Sequence, residues 1–340
     1  MGSATGVTKG KFHKNVLDLD CAKECAKIEQ AIRDLVGREL HRRGVVVGVS
    51  GGVDSAVCVT LATRALGPER VFGILMPGKN TTPANTELGK KICEGLGIKF
   101  AMQPIYPAIE ALGGYKRRDD AIRKMYPEYK PGDKYKIAIA DDVLGSNRIN
   151  FFNLILQGSD GKLQKKRMPL EVYLEIVATT NLKQRTRKMI EYWHAEMLNY
   201  AVIGTPNRLE YDQGFFVRGG DGLADLKPIA HLYKTQVYAL AKFTGVPRQV
   251  TDQPPTTDTY SLPQTQEEFY YALSYDKMDM VLYAYIHGVP AAECGAVMGL
   301  TTEQVERAYK DIVAKRRVSR QLHQHALTIE PVSLEDGGHG

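Results

Sequence analysis

The sequence predicts an α/β protein with a doubly wound parallel sheet and helices on both of its faces. Three observations lead to this prediction. Short apolar runs alternate with helical patterns along much of the chain. The connections between them are short, which is typical of βαβ units. The first run, residues 45–49, is apolar at every position and bounded by glycines, which indicates a strand buried on both faces.

The predicted elements follow one another in a regular order over the first third of the chain. We expect helices over residues 21–43, 55–66 and 83–96, and strands over residues 45–49, 71–76 and 98–103. The same rhythm returns later, with a helix over 181–200, a strand over 200–204 and a helix over 233–244. A Pro- and Thr-rich stretch, 253–266, is predicted to be a mobile loop.

Residues 113–180 interrupt this rhythm and are interpreted as an insertion within a single domain that spans 1–340. The segment is rich in basic residues, and its second half resembles a hairpin around Ser159-Asp160-Gly161. It is either a solvated surface flap or a lid that selects the substrate. Residues 288–330 are predicted to form a helical tail.

Composition excludes several classes of protein. No run of about 18 apolar residues occurs, so we expect no membrane span and no membrane partner. The amino terminus lacks the apolar core of a secretion signal. Five scattered cysteines favour free thiols in a reducing cytoplasm. The net charge of +6 suits a polyanion or an ordinary nucleotide substrate equally well.

The stretch GVSGGVDS, which follows the first predicted strand, is the most informative motif. It comprises Gly48, Val49, Ser50, Gly51, Gly52, Val53, Asp54 and Ser55. A glycine-rich turn into a helix directs backbone N–H groups at one point and suits phosphate. The lysine of a Walker loop and the GxGxxG fingerprint are both absent. Asp54, on the first helical turn, is placed to bind Mg²⁺ that bridges phosphate oxygens. Because the site would grip a diphosphate with no general base beside the γ-phosphate, we predict attack at the α-phosphate with pyrophosphate leaving.

This motif resembles the pyrophosphate loop of the N-type ATP pyrophosphatases, the PP-loop superfamily. The resemblance implies an adenine-nucleotide alpha-hydrolase-like fold.

A second group of polar residues lies within residues 204–236. Glu210 follows a predicted strand, Asp221 and Asp225 flank a glycine turn, and Lys234 opens the next helix. Any one of them would be an ordinary surface charge, but four beside one strand end indicate a ligand site. The block, together with NLKQR at 181–185, is similar to the ammonia-dependent NAD synthetases.

The resemblance implies a role for each matching residue. Asp54 and Glu210 would be Mg²⁺ ligands, and residues 48–55 with Thr205, Thr256 and Lys234 would bind ATP. The deamido-NAD side would be formed by Arg185, Arg218, Asp225 and Lys315. The catalytic residues would be Asp54, Lys234 and Asp221, the last of them close to the entering ammonia.

The chemistry agrees with such an enzyme. A carboxylate is a poor acyl donor until adenylation supplies AMP as its leaving group, and that step needs cations around the phosphates. A carboxylate such as Asp221 or Asp225 could bind ammonium and accept a proton. The ammonia would be free or come from a separate amidase, because no glutaminase segment is recognised. The family resemblance also implies a homodimer.

Departures from the family pattern leave alternatives open. Ala314 stands where the family has histidine, Arg218 stands where it often has lysine, and the insertion is larger. Another carboxylate substrate would account for these differences. A tRNA-modifying PP-loop enzyme would require paired cysteines, and a nucleotide sensor would not require Glu210 and Lys234. We expect no nucleic-acid partner, although the tail around Gly299 superficially resembles a helix-turn-helix.

Overall fold

A computed structural model describes residues 11–139, 152–252, 260–262 and 273–330 of the protein. Its strands are β1 (Val45–Gly48), β2 (Val71–Leu75), β3 (Lys99–Met102), β4 (Lys134–Ile139), β5 (Phe152–Gln157), β6 (Leu163–Arg167) and β7 (Ala201–Ile203). They form a parallel sheet of order β3-β2-β1-β7 and a separate antiparallel sheet of order β4-β5-β6. The predicted parallel sheet is therefore confirmed.

The helices surround these sheets. They are α1 (Cys21–Asp34), α2 (Val53–Leu66), α3 (Pro83–Gly95), α4 (Tyr106–Ala111), α5 (Gly114–Met125), α6 (Leu170–Leu198), α7 (Arg208–Gln213), α8 (Lys234–Phe243), α9 (Arg248–Thr251), α10 (Tyr275–Ile286), α11 (Ala291–Met298) and α12 (Thr302–His323). In the ranges that the structure describes, no helix is long and apolar enough to cross a bilayer.

Alternate side chains of β1 enter two different cores. Val45 and Val47 pack into a cluster with residues of α1, α2, α3 and α8. Val46, between them, packs on the opposite face with Ile74, Val202 and residues of α6. Because both faces are covered, every position of the strand is apolar, which is the pattern seen in the sequence. The doubly wound arrangement is thus confirmed.

The strand order changes direction at β1. The chain proceeds from β1 to β2 and β3 on one side, and β7 later pairs with the other side of β1, with Val47 opposite Ile203. Ligands of open α/β sheets bind where the strand order reverses, at the carboxyl ends of the strands. The turn after β1 and the segment after β7 both lie at that point.

The small antiparallel sheet packs on α5 and on the first half of α6. The predicted hairpin around Asp160 is present, because β5 and β6 pair on either side of it. The predicted start of a helix at residue 181 is wrong, since α6 begins at Leu170. Buried Val172, Ile176 and Thr179 recur with helical spacing, and this periodicity outweighs the β-branched composition of the segment. The boundaries of the insertion stay a prediction.

The carboxyl-terminal helices build a second core that supports the site. Residues of α10, α11 and α12 pack with Leu209 of α7 and with Tyr233. Arg316 of α12 holds Asp212 of α7 through two hydrogen bonds of 2.7 and 2.6 Å. The carboxyl-terminal helices therefore pack directly against α7, the helix that carries Glu210. Gly299, with a φ of 66°, ends α11 and turns the chain into α12.

Candidate active site

A cavity of about 310 Å³ opens at the carboxyl ends of β1, β2 and β7. Residues from five parts of the chain line it: the whole turn 48–55, the segment from the end of β2 to the start of α3, one face of α6, the region from β7 to α8, and Val250 of α9. The site residues predicted from sequence that line it are Gly48, Val49, Ser50, Gly51, Gly52, Val53, Asp54, Ser55, Thr205, Asp221 and Lys234.

The turn between β1 and α2 leaves a helix end open to the cavity. The Oγ atoms of Ser50 and Ser55 lie 3.1 Å apart, and each hydroxyl accepts a backbone N–H of the turn. Gly52 precedes the first residue of α2, and no side chain caps that helix. The free N–H groups and partial positive charge of this 14-residue helix therefore face the cavity, an arrangement that would suit an anion.

Two glycines of the motif lie close to other parts of the protein. Gly51 has a φ of 84°, and a Cβ there would lie 2.4 Å from the carbonyl oxygen of Asn85. A Cβ at Gly48 would lie 2.7 Å from Oε1 of Glu191 on α6. Gly51 therefore demands glycine before any ligand is considered, whereas a side chain at Gly48 would require the Glu191 carboxylate to move.

Asp54, Asn207 and Lys234 meet at the end of this turn although they are far apart in sequence. Lys234 Nζ donates a short hydrogen bond to Asp54 Oδ2, and Asn207 Nδ2 donates to Asp54 Oδ1 at 3.2 Å. The lysine side chain is only 2% exposed. Burial opposes its charge, but the negative charges of Asp54 and Glu210 outweigh burial and raise the pKa of Lys234.

Glu210, on the first turn of α7, lies within electrostatic range of Asp54 and Lys234, although it does not line the cavity. Asn207 caps that helix by accepting the N–H groups of Leu209 and Glu210 at 3.0 and 3.2 Å. In return, Glu210 Oε2 accepts the Asn207 N–H at 3.1 Å, which completes a capping box. Burial, followed by the negative charge of Asp54, raises the pKa of Glu210 to about 8.

The donor set fits a Mg²⁺ ion. Asp54 and Glu210 offer hard carboxylate oxygens, and their mutual repulsion would be relieved by a cation between them. Within the described parts of the chain, no group of three or more His, Cys, Asp or Glu residues could hold a metal. Mg²⁺ is commonly held by one or two carboxylates with substrate phosphates and water completing its coordination. Asp54 and Glu210 would be the two protein ligands.

Asp221 borders the same cavity from the loop between β7 and α8. Its Oδ1 accepts the N–H of Val217 at 2.7 Å. Burial raises the pKa of Asp221, and this effect is opposed by the hydrogen bond from Val217 and by the positive charges of Lys188 and Arg187. A partly buried carboxylate thus borders the cavity.

Comparison with known proteins shows the family to which the chain belongs. The family model described as NAD synthase matches residues 24–128 and 145–322. The chain belongs to the NAD synthase family. A protein of Rhizobium rhizogenes named NH(3)-dependent NAD(+) synthetase is 51% identical over 318 residues, covering 94% of this chain and 96% of that protein. The protein of the same name from Rhizobium meliloti is 50% identical over 321 residues, with the same coverage of both chains.

Two solved structures have the same fold as this NAD synthase family member. The NH3-dependent NAD synthetase of Campylobacter jejuni aligns with a TM-score of 0.60 and 22% identity, covering 92% of this chain and all of that one. The NMN synthetase of Francisella tularensis aligns with a TM-score of 0.62 and 23% identity, covering 92% and 99%. At these identities the likeness concerns the fold alone.

Two arginines that the family resemblance assigns to deamido-NAD lie outside the lining of the cavity. Arg185, on α6, donates its Nε to the carbonyl of Arg218 at 3.1 Å. Arg218 donates to the carbonyl oxygens of Gln321 and Gln324, at 3.4 and 3.0 Å. Both arginines are exposed. Through these two hydrogen bonds, Arg218 joins the loop before α8 to the end of α12.

Asp225 and Lys315 also lie outside that lining. Asp225 accepts the backbone N–H of Val202 at 2.7 Å and the hydroxyl of Tyr192 at 3.1 Å, so it joins β7 to α6. Lys315 lies on α12 and pairs with Asp311 at 2.7 Å. Thr256, the remaining predicted ATP contact, and nearly all of the loop predicted at 253–266 lie outside the described residues.

Sequence reasoning missed two parts of this NAD synthase site. Asn207 links both candidate Mg²⁺ ligands, and the pattern Asn-x-x-Glu at 207–210 is a capping-box signal that could have revealed it. The face of α6 that lines the cavity consists of Gln184, Arg187, Lys188 and Glu191. Their spacing of three, four and seven residues indicates one helical face, but nothing local shows that this face meets β1.

Proposed function

We propose that the protein is an ammonia-dependent NAD(+) synthetase. It adenylates the carboxylate of deamido-NAD with ATP, releases pyrophosphate, and lets ammonia displace AMP to form NAD. One observation carries the proposal: Asp54, Glu210 and Lys234 converge beside an uncapped helix end that lacks a Walker lysine. The relatives of this name, about half identical over nearly the whole chain, support it independently.

In the first step, the turn 48–55 holds the outer two phosphates of ATP. The N–H groups at the start of α2 and the hydroxyls of Ser50 and Ser55 supply its hydrogen bonds. Mg²⁺, when bound by Asp54 and Glu210, supplies positive charge for the departing pyrophosphate. Lys234 neutralises charge on the α-phosphate as the substrate carboxylate attacks, and Thr205 contacts ATP from the end of β7.

In the second step, ammonia attacks the acyl carbon of the adenylate. The nucleophile must be neutral to attack and must lose a proton afterwards. Asp221, partly buried in the wall of the cavity, accepts that proton. AMP leaves with the electron pair of the acyl–oxygen bond, so no covalent bond to the protein is formed.

The further assignments belong to the same proposal. Arg185, Arg218, Asp225 and Lys315 bind deamido-NAD, and Thr256 contacts ATP. The first four lie outside the cavity lining, so the dinucleotide would extend beyond the cavity towards α12. All five cysteines are free thiols, which fits a location in the cytoplasm.

We also propose that the enzyme acts as a homodimer on free ammonia, or on ammonia from a separate amidase. Three apolar side chains on α6 remain largely exposed at successive turns: Met189 (62%), Trp193 (58%) and Met197 (60%). A contiguous apolar stripe of this kind suits contact with a second copy.

A coupled assay tests the proposed function. Purified protein with ATP, Mg²⁺, ammonium and deamido-NAD should yield NAD, AMP and pyrophosphate in equal amounts. Formation of ADP as the nucleotide product would refute the mechanism, and absence of NAD would point to another carboxylate substrate. Replacing ammonium by glutamine should reduce the rate strongly.

The metal ligands are tested with two variants and a control. Asp54→Ala and Glu210→Ala should each abolish Mg²⁺-dependent release of pyrophosphate while the circular dichroism spectrum stays native. Asp160→Ala, in the exposed hairpin turn, should retain full activity. Substantial activity in either of the first two variants would overturn the ligand assignment.

A further inference from the structure

The face of α6 that borders the cavity carries charged side chains of both signs. Gln184, Arg187, Lys188 and Glu191 all line the cavity that contains the turn 48–55. Arg187 is anchored there, since its Nε donates to the carbonyl of Met76 after β2 at 3.3 Å. One long helix thus places two cations and one carboxylate in the wall of a site for anionic substrates.

Lys188 and Glu191 form a buried ion pair within this wall. Lys188 Nζ lies 2.5 Å from Glu191 Oε2, and the two side chains are 5% and 8% exposed. The desolvation of two charges largely cancels their attraction, so a buried pair is a poor source of stability. Its presence in a cavity wall therefore calls for a functional reason.

The pair is fixed against the strand that carries the phosphate-binding turn. Glu191 Oε1 approaches the backbone of Gly48 so closely that a Cβ at that glycine would be 2.7 Å from it. Gly48 is the last residue of β1 and lies two residues before Ser50. The carboxylate that pairs with Lys188 therefore lies beside the residue that leads into the turn.

The positive charge of Lys188 acts on Asp221. Burial raises the pKa of Asp221, and the charge of Lys188 opposes this rise. Burial, followed by the positive charge of Lys188, lowers the pKa of Lys227. Lys188 therefore lies within electrostatic range of the carboxylate to which proton acceptance is assigned, and on the α6 side of the sheet rather than on the side of Lys234.

We propose that Lys188 is a second oxyanion-contacting residue of the reacting centre, and that Glu191 is its positioning residue. The inference rests on the proposed function, in which a substrate carboxylate attacks the α-phosphate and two anions must approach each other. Lys234 lies beside Asp54 at the turn; Lys188 contributes positive charge from α6. An ammonium has three N–H donors, and within the described residues Glu191 accepts one of them.

A double variant separates this role from a structural one. Lys188→Met alone would leave Glu191 buried and unpaired, so loss of activity in it would be ambiguous. Lys188→Met/Glu191→Leu removes both charges at similar volume, and we expect its melting temperature to stay close to that of the wild type. Its kcat for NAD formation should nevertheless fall at least tenfold.

The test of the double variant compares kcat with kcat/KM for ATP and for deamido-NAD. A loss of threefold or more in kcat, or in kcat/KM for ATP or for deamido-NAD, supports the inference, and the substrate affected shows which oxyanion Lys188 contacts. A smaller change in all three overturns it, because the pair would then be structural. Wild-type NAD formation is measured first, so failure of the proposed function is recognised separately.

Crystals of the unaltered protein test the inference even if the variant does not fold. They would be grown with a non-hydrolysable ATP analogue and, separately, with deamido-NAD. A phosphate or carboxylate oxygen within hydrogen-bond distance of Lys188 Nζ in either complex supports the role. Absence of such a contact in both complexes overturns it.

Discussion

Asn207 shows how one uncharged side chain can organise a charged site. Asn207 is fully buried. Its Oδ1 caps α7 by accepting the N–H of Leu209, and its Nδ2 donates a hydrogen bond to Asp54. The two carboxylates proposed to hold Mg²⁺ come from α2 and α7, and Asn207 contacts both. A buried amide of this kind stabilises the fold and orients the two carboxyl groups at the same time.

Replacing this residue should affect both properties. Asn207→Ala removes the cap and the bond to Asp54, so we expect a loss of about 1–2 kcal/mol in the free energy of unfolding. The Mg²⁺ concentration for half-maximal activity should also rise. Urea unfolding and a Mg²⁺ titration measure the two effects.

Thr301→Ala is the matched control for Asn207→Ala. Thr301 caps α12 through an equivalent capping box away from the cavity. That variant should lose a similar amount of stability and keep the wild-type Mg²⁺ dependence. A normal Mg²⁺ dependence in Asn207→Ala as well would refute the aligning role.

Asp279 is a second buried carboxyl group, placed beside the start of α8. It is fully buried on α10, and its Oδ2 accepts the N–H of Thr235 at 2.8 Å, next to Lys234. Burial raises its pKa from 3.8 to about 6, against the opposing hydrogen bonds and the charge of Lys234. The folded protein therefore binds this proton more tightly than the unfolded chain does.

This shift predicts a pH dependence of stability. Because the folded-state pKa is raised, the contribution of Asp279 to stability falls as the pH rises from about 4 to about 6. Asp279→Asn has no such titration. The unfolding free energy of the variant minus that of the wild type should rise over this range, by up to about 3 kcal/mol. Denaturation at pH 4.5 and 7 measures it, and equal differences at both pH values would contradict it.

At the scale of elements, the junction between β1 and α2 shapes the turn that is proposed to bind phosphate. The strand ends at Gly48 and the helix begins at Val53, with Gly51 in the left-handed region between them. The carbonyl of Asn85, on α3, closes one side of this turn. The shape of the turn therefore depends on the packing of α3 as well as on the turn itself.

Gly51→Ala should be strongly disruptive. The alanine would have an unfavourable φ, and its Cβ would collide with the Asn85 carbonyl. We therefore expect the free energy of unfolding to fall by more than about 2 kcal/mol and ATP binding to be lost. Gly113→Ala is the control, since its φ is also positive at 68° but nothing lies within 4 Å of the added Cβ. It should cost about 1 kcal/mol and leave ATP binding intact. Equal effects in the two variants would show that backbone strain alone is responsible.

At the scale of the whole molecule, the exposed stripe on α6 bears on assembly. One face of this helix lines the cavity, whereas Met189, Trp193 and Met197 point elsewhere and remain exposed. A contact made by this stripe would involve the same helix that carries Lys188. Assembly and the site would then be linked through α6.

Trp193→Lys tests the proposed homodimer. A charge in the centre of an apolar contact should weaken association at least tenfold, measured by sedimentation velocity over a range of concentrations. Val318→Lys, on the exposed surface of α12, should sediment like the wild type. A wild-type chain that remains monomeric at all concentrations would refute the dimer itself.

The sequence alone determined the parallel sheet, the glycine turn proposed to bind phosphate, and Asp54, Glu210 and Lys234 as candidate site residues. Each of these is a local pattern: apolar strands, a glycine turn into a helix, and polar residues after a strand end. Only the tertiary structure decided that Asn207 joins the two carboxylates and that α6 adds Lys188 and Glu191. These contacts join segments more than 130 residues apart and depend on how the helices pack across the sheet. The spacing of residues within one segment does not reveal that packing.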